Sequence, residues 1–191
     1  MHGKLIVISA PSGSGKTTIA NAVLRKFPSI LFSVSATTRP KRSDETGGKE
    51  YFFLTKEEFQ AKVKQGDLVE WEEIYGDLYG TLKSEVDKAL AADRVMLFDV
   101  DVKGALSIKR AYPEAVLIFV KPPSFQELKE RLRNRKTENE AALARRLERV
   151  PMELQLGERF DYQVVNDDLQ RAIGEVEHIV REHTELDSIH S

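Results

Sequence analysis

The residues best suited to chemistry lie early in the chain. Ala10-Pro-Ser-Gly-Ser-Gly-Lys-Thr17 follows an apolar run and opens an amphipathic one, the context that a phosphate-cradling loop requires. Gly13 and Gly15 let the loop of Ala10, Pro11, Ser12 and Ser14 curl so that successive N–H groups point at phosphate oxygens, Pro11 alone having none to give. The helix start adds partial positive charge. Lys16 would bridge the β and γ phosphates of a nucleotide, and the Thr17 hydroxyl would reach Mg2+. Ala10 stands where the generic pattern has its first glycine, so ordinary negative φ is expected there; a left-handed alanine costs about 1–2 kcal/mol. The blander reading is a ligand-free Gly/Ser turn, and the strand-loop-helix context counts against it.

A phosphate loop alone leaves GTPases, ATPases and many kinases open, so the acceptor must be sought elsewhere. Arg39 and Arg42 lie three residues apart and are followed by Gly47-Gly-Lys-Glu-Tyr51. Two guanidinium forks and a phenol can grip a phosphate monoester, although a solvated basic loop explains the spacing equally well. Glu70, Tyr79 and Thr81 add a carboxylate, a phenol and a hydroxyl, and Asp99-Val-Asp101 adds two acids where an apolar strand ends. An acid at that end of a strand faces the ligand crevice of an open α/β sheet. Strand alternation sends Asp99 and Asp101 to one face with Val100 opposite. Taken singly, Glu70 reads as a surface strand residue and Asp101 as a helix cap.

These groups need elements to position them. Leu5–Ser9, Leu31–Val34, Val95–Val100, Val116–Val120 and Tyr162–Val165 are short, nearly continuous apolar runs, which implies strands covered on both faces. Between them Ile19, Ala20, Val23, Leu24 and Phe27, and later Leu169, Ile173, Val176 and Val180, recur at helical spacing. The pattern predicts an α/β fold with a mostly parallel central sheet flanked by helices. From 33 to 93 it changes: Tyr51–Leu54, Leu68–Trp71 and Ile74-Tyr75 read as short polar-flanked strands around one clear helix, opened by a capping box at Thr55 and Glu58. This stretch is expected to be an inserted β-rich subdomain. From 124 to 157 the chain is charged and helical, with a second capping pattern at Ser124 and Glu127 and a break near Asn134–Asn139. Arg131, Arg133, Arg135, Arg145, Arg146 and Arg149 lie here, most of them readable as a solvated face with i,i+4 support such as Glu127 with Arg131.

Composition bounds the rest. The chain has 191 residues, 29 Lys plus Arg against 31 Asp plus Glu, and a formal charge of −2, so no nucleic-acid partner is advertised. Zero cysteines removes disulfides, thiolate metal sites and a cysteine nucleophile, and suits a reducing cytoplasm. No apolar run nears the roughly 18 residues of a membrane span. His2, His178, His183 and His190 are scattered and suggest no metal site, Trp71 and the Phe residues read as packing groups, and Leu186–Ser191 as a frayed tail.

Taken together the motifs closely resemble those of guanylate kinases, in order along essentially the whole chain: Ala10–Thr17, Ser35–Arg42, Tyr51, Glu70-Trp71, Tyr79-Gly-Thr81, Asp99-Val-Asp101, Arg131–Arg146 and Val165-Asn-Asp167. The resemblance implies one P-loop kinase domain, with a core at 1–32, 94–123 and 158–191, a GMP-binding subdomain at 33–93 and a helical lid at 124–157. It implies transfer of the γ-phosphoryl group of ATP, with Mg2+, to GMP and dGMP in purine nucleotide metabolism, by a monomer or small homo-oligomer without nucleic-acid or membrane partners. By position, Arg39, Arg42, Tyr51 and Tyr79 match contacts to the GMP phosphate; Ser35, Glu70, Thr81 and Asp101 match contacts to guanine. Arg135 and Arg146 match phosphate-facing lid arginines, Arg131 and Asn166 residues near the adenine, and Asp99 is expected to orient the water shell of Mg2+. Lys16, Arg39, Arg42, Arg135 and Arg146 are the expected catalytic set.

The chemistry agrees with the resemblance, because guanine offers N1–H and an exocyclic amine on one edge and a carboxylate accepts from both, whereas AMP leaves a buried acid unpaired at a cost of about 1–3 kcal/mol. The chain departs from the family pattern at Arg135-Lys-Thr-Glu138, where Arg-Gly-Thr-Glu is common, and at Pro40, which precedes Lys41 rather than Arg42. Two rival readings are a peptide-binding module of similar sequence, which would not need Lys16-Thr17 and a lid, and a kinase for another phosphorylated acceptor such as a ribose bisphosphate, which would not need Glu70 and Asp101.

Overall fold

The structure, a computed structural model, describes residues 3–43, 45–49, 51–74, 76–134 and 140–184. Its centre is a five-stranded parallel sheet of β1 (Lys4–Ser9), β2 (Leu31–Phe32), β7 (Val95–Asp99), β8 (Val116–Lys121) and β9 (Tyr162–Val165), in the order β2-β7-β1-β8-β9. Alternation along β1 sorts the core. Ile6 and Ile8 pack with Leu97 and Ile118 against α1 (Lys16–Lys26) and α7 (Leu169–His183); Leu5 and Val7 pack with Phe98, Leu117 and Phe119 against α3 (Lys83–Ala91) and α4 (Val102–Ala111). Both faces are covered, which is why the strands read as unbroken apolar runs. The ends of β1 and β7 therefore open on one rim, where a parallel α/β sheet binds ligands.

A second, four-stranded sheet, ordered β4-β3-β6-β5, is formed by β3 (Ala36–Thr37), β4 (Phe52–Phe53), β5 (Leu68–Ile74) and β6 (Asp77–Leu82). It packs on α2 (Lys56–Gln65) around buried Ala36, Phe59 and Leu82. The capping box on α2 forms as expected: Thr55 Oγ1 accepts from the Glu58 amide and Glu58 Oε2 from the Thr55 amide. The Glu127 amide likewise donates to Ser124 Oγ at the start of α5 (Phe125–Asn134), while the Glu127 carboxylate takes the Arg131 guanidinium. α6 (Glu140–Gly157) runs back beside α5, with Leu128, Leu132 and Val150 buried between them.

The structure corrects the sequence reading in several places. β2 ends at Phe32, after which the Ser33 amide donates to Leu97 O and the chain leaves for the second sheet. Leu68–Trp71 and Ile74 belong to one strand with a register shift between Leu68 and Glu70, not two. Among its described residues the stretch 33–93 contains two helices; the second, α3, seats Val86 and Ala89 in the core beside Leu5 and Met96. Trp71, expected to pack, is 49% exposed. Tyr75, the break at 135–139 including Arg135 and Lys136, His2, and Leu186–Ser191 with His190 lie outside the described residues.

Candidate active site

The phosphate loop curls as its glycines allow. Gly13 and Gly15 have φ of 91° and 89°, and Ala10 has ordinary φ, Asp93 being the single non-glycine residue with positive φ among those described. A Cβ on Gly15 would stand 2.5 Å from Asn166 Nδ2. That amide donates to Ser14 O at 2.8 Å, so buried Asn166 fastens the loop from the end of β9. Arg131 donates to Asn166 O at 3.0 Å, which brings together the two residues matched to the adenine site. Lys16 Nζ lies 2.6 Å from Asp99 Oδ1 and donates to Val100 O at 3.0 Å, and Thr17 Oγ1 donates to Asp99 Oδ2 at 2.9 Å. Arg146 Nη1, from α6, reaches Ser12 Oγ at 3.2 Å.

Across a cleft of about 490 Å³ bordered by the loop, Glu72, Asp101, Arg146, Arg149 and Glu153 lies a group of acids. Glu70 and Thr81 are cross-strand partners on β5 and β6, and Thr81 Oγ1 donates to Glu70 Oε1 at 2.7 Å. Burial pushes the Glu70 carboxyl above its usual range, with the nearby Asp101 charge acting in the same direction and the Thr81 hydroxyl against it. Asp101 caps α4, accepting the Gly104 amide through Oδ1 at 2.7 Å. The cap reading holds, and Oδ2 accepts from Arg149 Nη2 at 3.3 Å on the border of the cleft. Glu70 Oε2 and Asp101 Oδ1 converge on Gly104, where an added Cβ would meet them at 3.0 and 3.1 Å. Position 104 leaves space for both carboxylates because it is glycine.

Arg39 sits in an aromatic nook, 5.3 Å from the Tyr51 ring centroid and 5.8 Å from that of Phe53, and Tyr51 packs edge-on against Tyr79. Its fork is closed on Glu45, Nη2 to Oε1 at 2.6 Å and Nη1 to Oε2 at 3.1 Å. This hydrogen-bonded pairing raises the arginine further and holds the Glu45 carboxyl below its ordinary range. The Arg42 amide donates to the same carboxylate at 2.8 Å, so Arg39 and Arg42 both engage Glu45. Burial raises the Tyr51 phenol. Ser35, half-buried, precedes β3, and its carbonyl accepts from the Phe52 amide.

The sequence reading missed three polar residues of the cleft. Glu72 shares a face of β5 with Glu70, half-buried, and burial plus the charge and hydrogen bond of Asp101 push it up to about 7. Arg149, read as part of a solvated face, lies against Asp101, Glu72 and Glu153. Glu153 is 7% exposed with its Oε2 lacking a hydrogen-bond partner among the described residues, and burial raises it. A period-two reading of Glu70-Trp-Glu72 would have found the first and also turned Trp71 outward.

The comparisons with known proteins follow the same line. Residues 2–183 match the family model described as Guanylate kinase. The chain is 48% identical over 181 residues to the guanylate kinase of Thermotoga maritima, across 95% of this chain and 87% of that one. It is 51% identical over 173 residues to that of Salinibacter ruber, across 90% and 92%. The crystal structure of guanylate kinase from Anaplasma phagocytophilum superposes with a TM-score of 0.73 at 31% identity, covering 95% of this chain and 86% of that one.

Proposed function

The chain belongs to the guanylate kinase family and is an ATP:GMP phosphotransferase, and from that premise we propose how its residues divide the work. The core at 1–32, 94–123 and 158–191 carries the donor site, 33–93 the acceptor site and 124–157 the lid. Ala10 to Thr17 wraps the ATP phosphates, with Lys16 on their negative charge. Arg131 and Asn166, joined at 3.0 Å beside the loop, flank the adenine. Glu70 and Asp101 accept from the donor edge of guanine, helped by Ser35 and by Thr81, whose hydroxyl orients Glu70. Arg39, Arg42, Tyr51 and Tyr79 hold the acceptor phosphate, which takes the place of Glu45 on the Arg39 fork.

The residues at the loop fit Mg2+. Thr17 Oγ1 and Asp99 Oδ2 are adjacent hard oxygen donors, 2.9 Å apart. Among the described residues no three His, Cys, Asp or Glu side chains gather as a metal cage, and Mg2+ that arrives with a nucleotide needs only one or two protein oxygens. Bound there it neutralises phosphate charge. The acceptor monophosphate, with a second pKa of about 6, is already ionised at neutral pH and attacks without a protein base. Its oxygen bonds to the γ phosphorus as the bridging bond to ADP breaks. Arg146, and Arg135 from outside the described residues, stabilise the charge of the transferring group, and alignment of the two substrates supplies much of the remaining acceleration.

The observation that supports the guanine assignment is the convergence of half-buried Glu70 and Asp101 on Gly104, beside the cleft that holds Lys16. A coupled ADP-release assay with ATP and Mg2+ tests it, with GMP, dGMP, AMP, CMP and UMP as acceptors. GMP and dGMP, which share one base edge, should support turnover; equal turnover with AMP sinks the assignment. The cysteine-free composition suits the cytoplasm, and among the described residues no helix is long and apolar enough to cross a membrane.

A further inference from the structure

One stripe of α6 spans the whole reaction cleft. Arg146, Arg149 and Glu153 recur at intervals of three and four residues, hence on one helical face. Arg146 points to the donor side, at Ser12 of the phosphate loop. One turn on, Arg149 Nη2 donates to Asp101 Oδ2 at 3.3 Å and lies 3.8 Å from Glu72 Oε2, and its Nε lies 3.6 Å from Glu153 Oε1. Those carboxylates come from the N-cap of α4, from β5 and from α6 itself, with Glu70 next to Asp101 behind them. Arg149 is therefore a cation placed where acids from three elements crowd together. Glu72 Oε2 and Asp101 Oδ2 both lie within 3.8 Å of the one Arg149 Nη2, so the two carboxylates share a single cation, without which their like charges would repel.

We propose that Arg149 is a positioning residue for GMP phosphorylation: it clasps α6 to Asp101 and Glu72, so that the acceptor-side carboxylates are held and the donor-side Arg146 is delivered on the same helix. The proposal rests on the assignment of Asp101 to guanine. It differs from a surface ion pair in what it transmits. An exposed pair touches nothing functional and its loss shifts an equilibrium by less than about fivefold. Arg149 bears on a guanine-reading acid with one arm and shares a helix with a phosphate-facing arginine. Its loss removes the charge that separates Glu72 from Asp101, and Asp101 is then pushed off its position at the base. The chain reaches this arrangement with two unlike segments, 72 on a strand of the inserted sheet and 149 on the lid helix, so the clasp also ties the two parts that flank the core.

Steady-state kinetics on Arg149→Gln, Arg149→Lys, Glu72→Gln and the Arg149→Gln/Glu72→Gln double variant test it, with GMP and ATP varied separately. Arg149→Gln should raise KM for GMP about tenfold, and lower kcat by a smaller factor. Arg149→Lys, which keeps the cation, should recover most of that loss. The double variant should bind GMP better than Arg149→Gln alone, because removing the Glu72 charge relieves the repulsion that the arginine had masked; a structural role for Arg149 would not produce that reversal. Affinity for a non-hydrolysable ATP analogue, measured by calorimetry without GMP, should match wild type in Arg149→Gln, while its enhancement by GMP should shrink. An unchanged KM for GMP in Arg149→Gln, or costs that simply add in the double variant, overturns the proposal. Absence of GMP-dependent ADP release in the wild type would instead overturn the functional reading beneath it.

Discussion

Replacing Glu70 by Gln tests guanine recognition at the cost of one charge and almost no volume. In the structure Glu70 Oε1 is taken by the Thr81 hydroxyl at 2.7 Å, while Oε2 lies beside Gly104 and Asp101. Gln can keep its carbonyl oxygen for Thr81, and its amide then turns a donor on the donor edge of guanine. At least one hydrogen bond to a charged group is lost, about 1.5–3 kcal/mol, and KM for GMP should rise roughly 10- to 150-fold. Adenine presents an acceptor at N1, which the new amide can serve, so kcat/KM for AMP should hold or improve. The assay is coupled ADP release with each acceptor varied at saturating ATP, and with ATP varied at saturating GMP. A GMP-to-AMP preference within about threefold of wild type, or equal rises in KM for GMP and ATP, refutes the reasoning.

Other outcomes follow from the same geometry. Burial and Asp101 raise the Glu72 carboxyl from 4.5 to about 7, so the folded state favours its protonated form: this contribution to stability is full below the ordinary value and is lost as pH rises through about 7. Glu72→Gln should therefore raise Tm at pH 8 by about 2–4 °C per kcal/mol relieved, and the gain should vanish in melts below pH 4.5, the ordinary value. Lys16→Met removes the cation held at 2.6 Å from Asp99 and should lower kcat about 10²- to 10³-fold while circular dichroism stays native. Gly15→Ala forces a Cβ into φ of 89° and to 2.5 Å from Asn166 Nδ2. Strain alone costs about 1–2 kcal/mol, and ATP affinity by calorimetry should fall together with Tm.

Sequence made the phosphate loop's conformation legible because its signals are local. Eight consecutive residues, from the end of a strand into the first turn of a helix, specify the loop, and Ala10 could be assigned ordinary φ from steric cost alone. Glu70 was different: by itself it reads as a surface strand residue, and its pairing with Thr81, set by the β5–β6 register, leaves it half-buried. β6 and α3 escaped notice for separable reasons. β6 carries Gly80 among its residues, a poor strand former that the structure needs because a Cβ there would lie 2.7 Å from Glu70 O. The N-cap of α3 is Leu82, which has no polar side chain to cap it, so the usual start signal is missing. Arg149 was misread because its partners Asp101 and Glu72 are remote in sequence, whereas the i,i+4 partner Glu153 is in plain view. Pairings of that range are a property of topology, not of spacing.

A crystal structure of the protein with GMP bound measures the central assignment most directly. The guanine N1 and exocyclic amine should lie about 3 Å from the Glu70 and Asp101 carboxylates, with the phosphate on Arg39 and Arg42 and Glu45 displaced from the Arg39 fork. A guanine edge turned away from both acids, or a phosphate bound while Arg39 still holds Glu45, would contradict it.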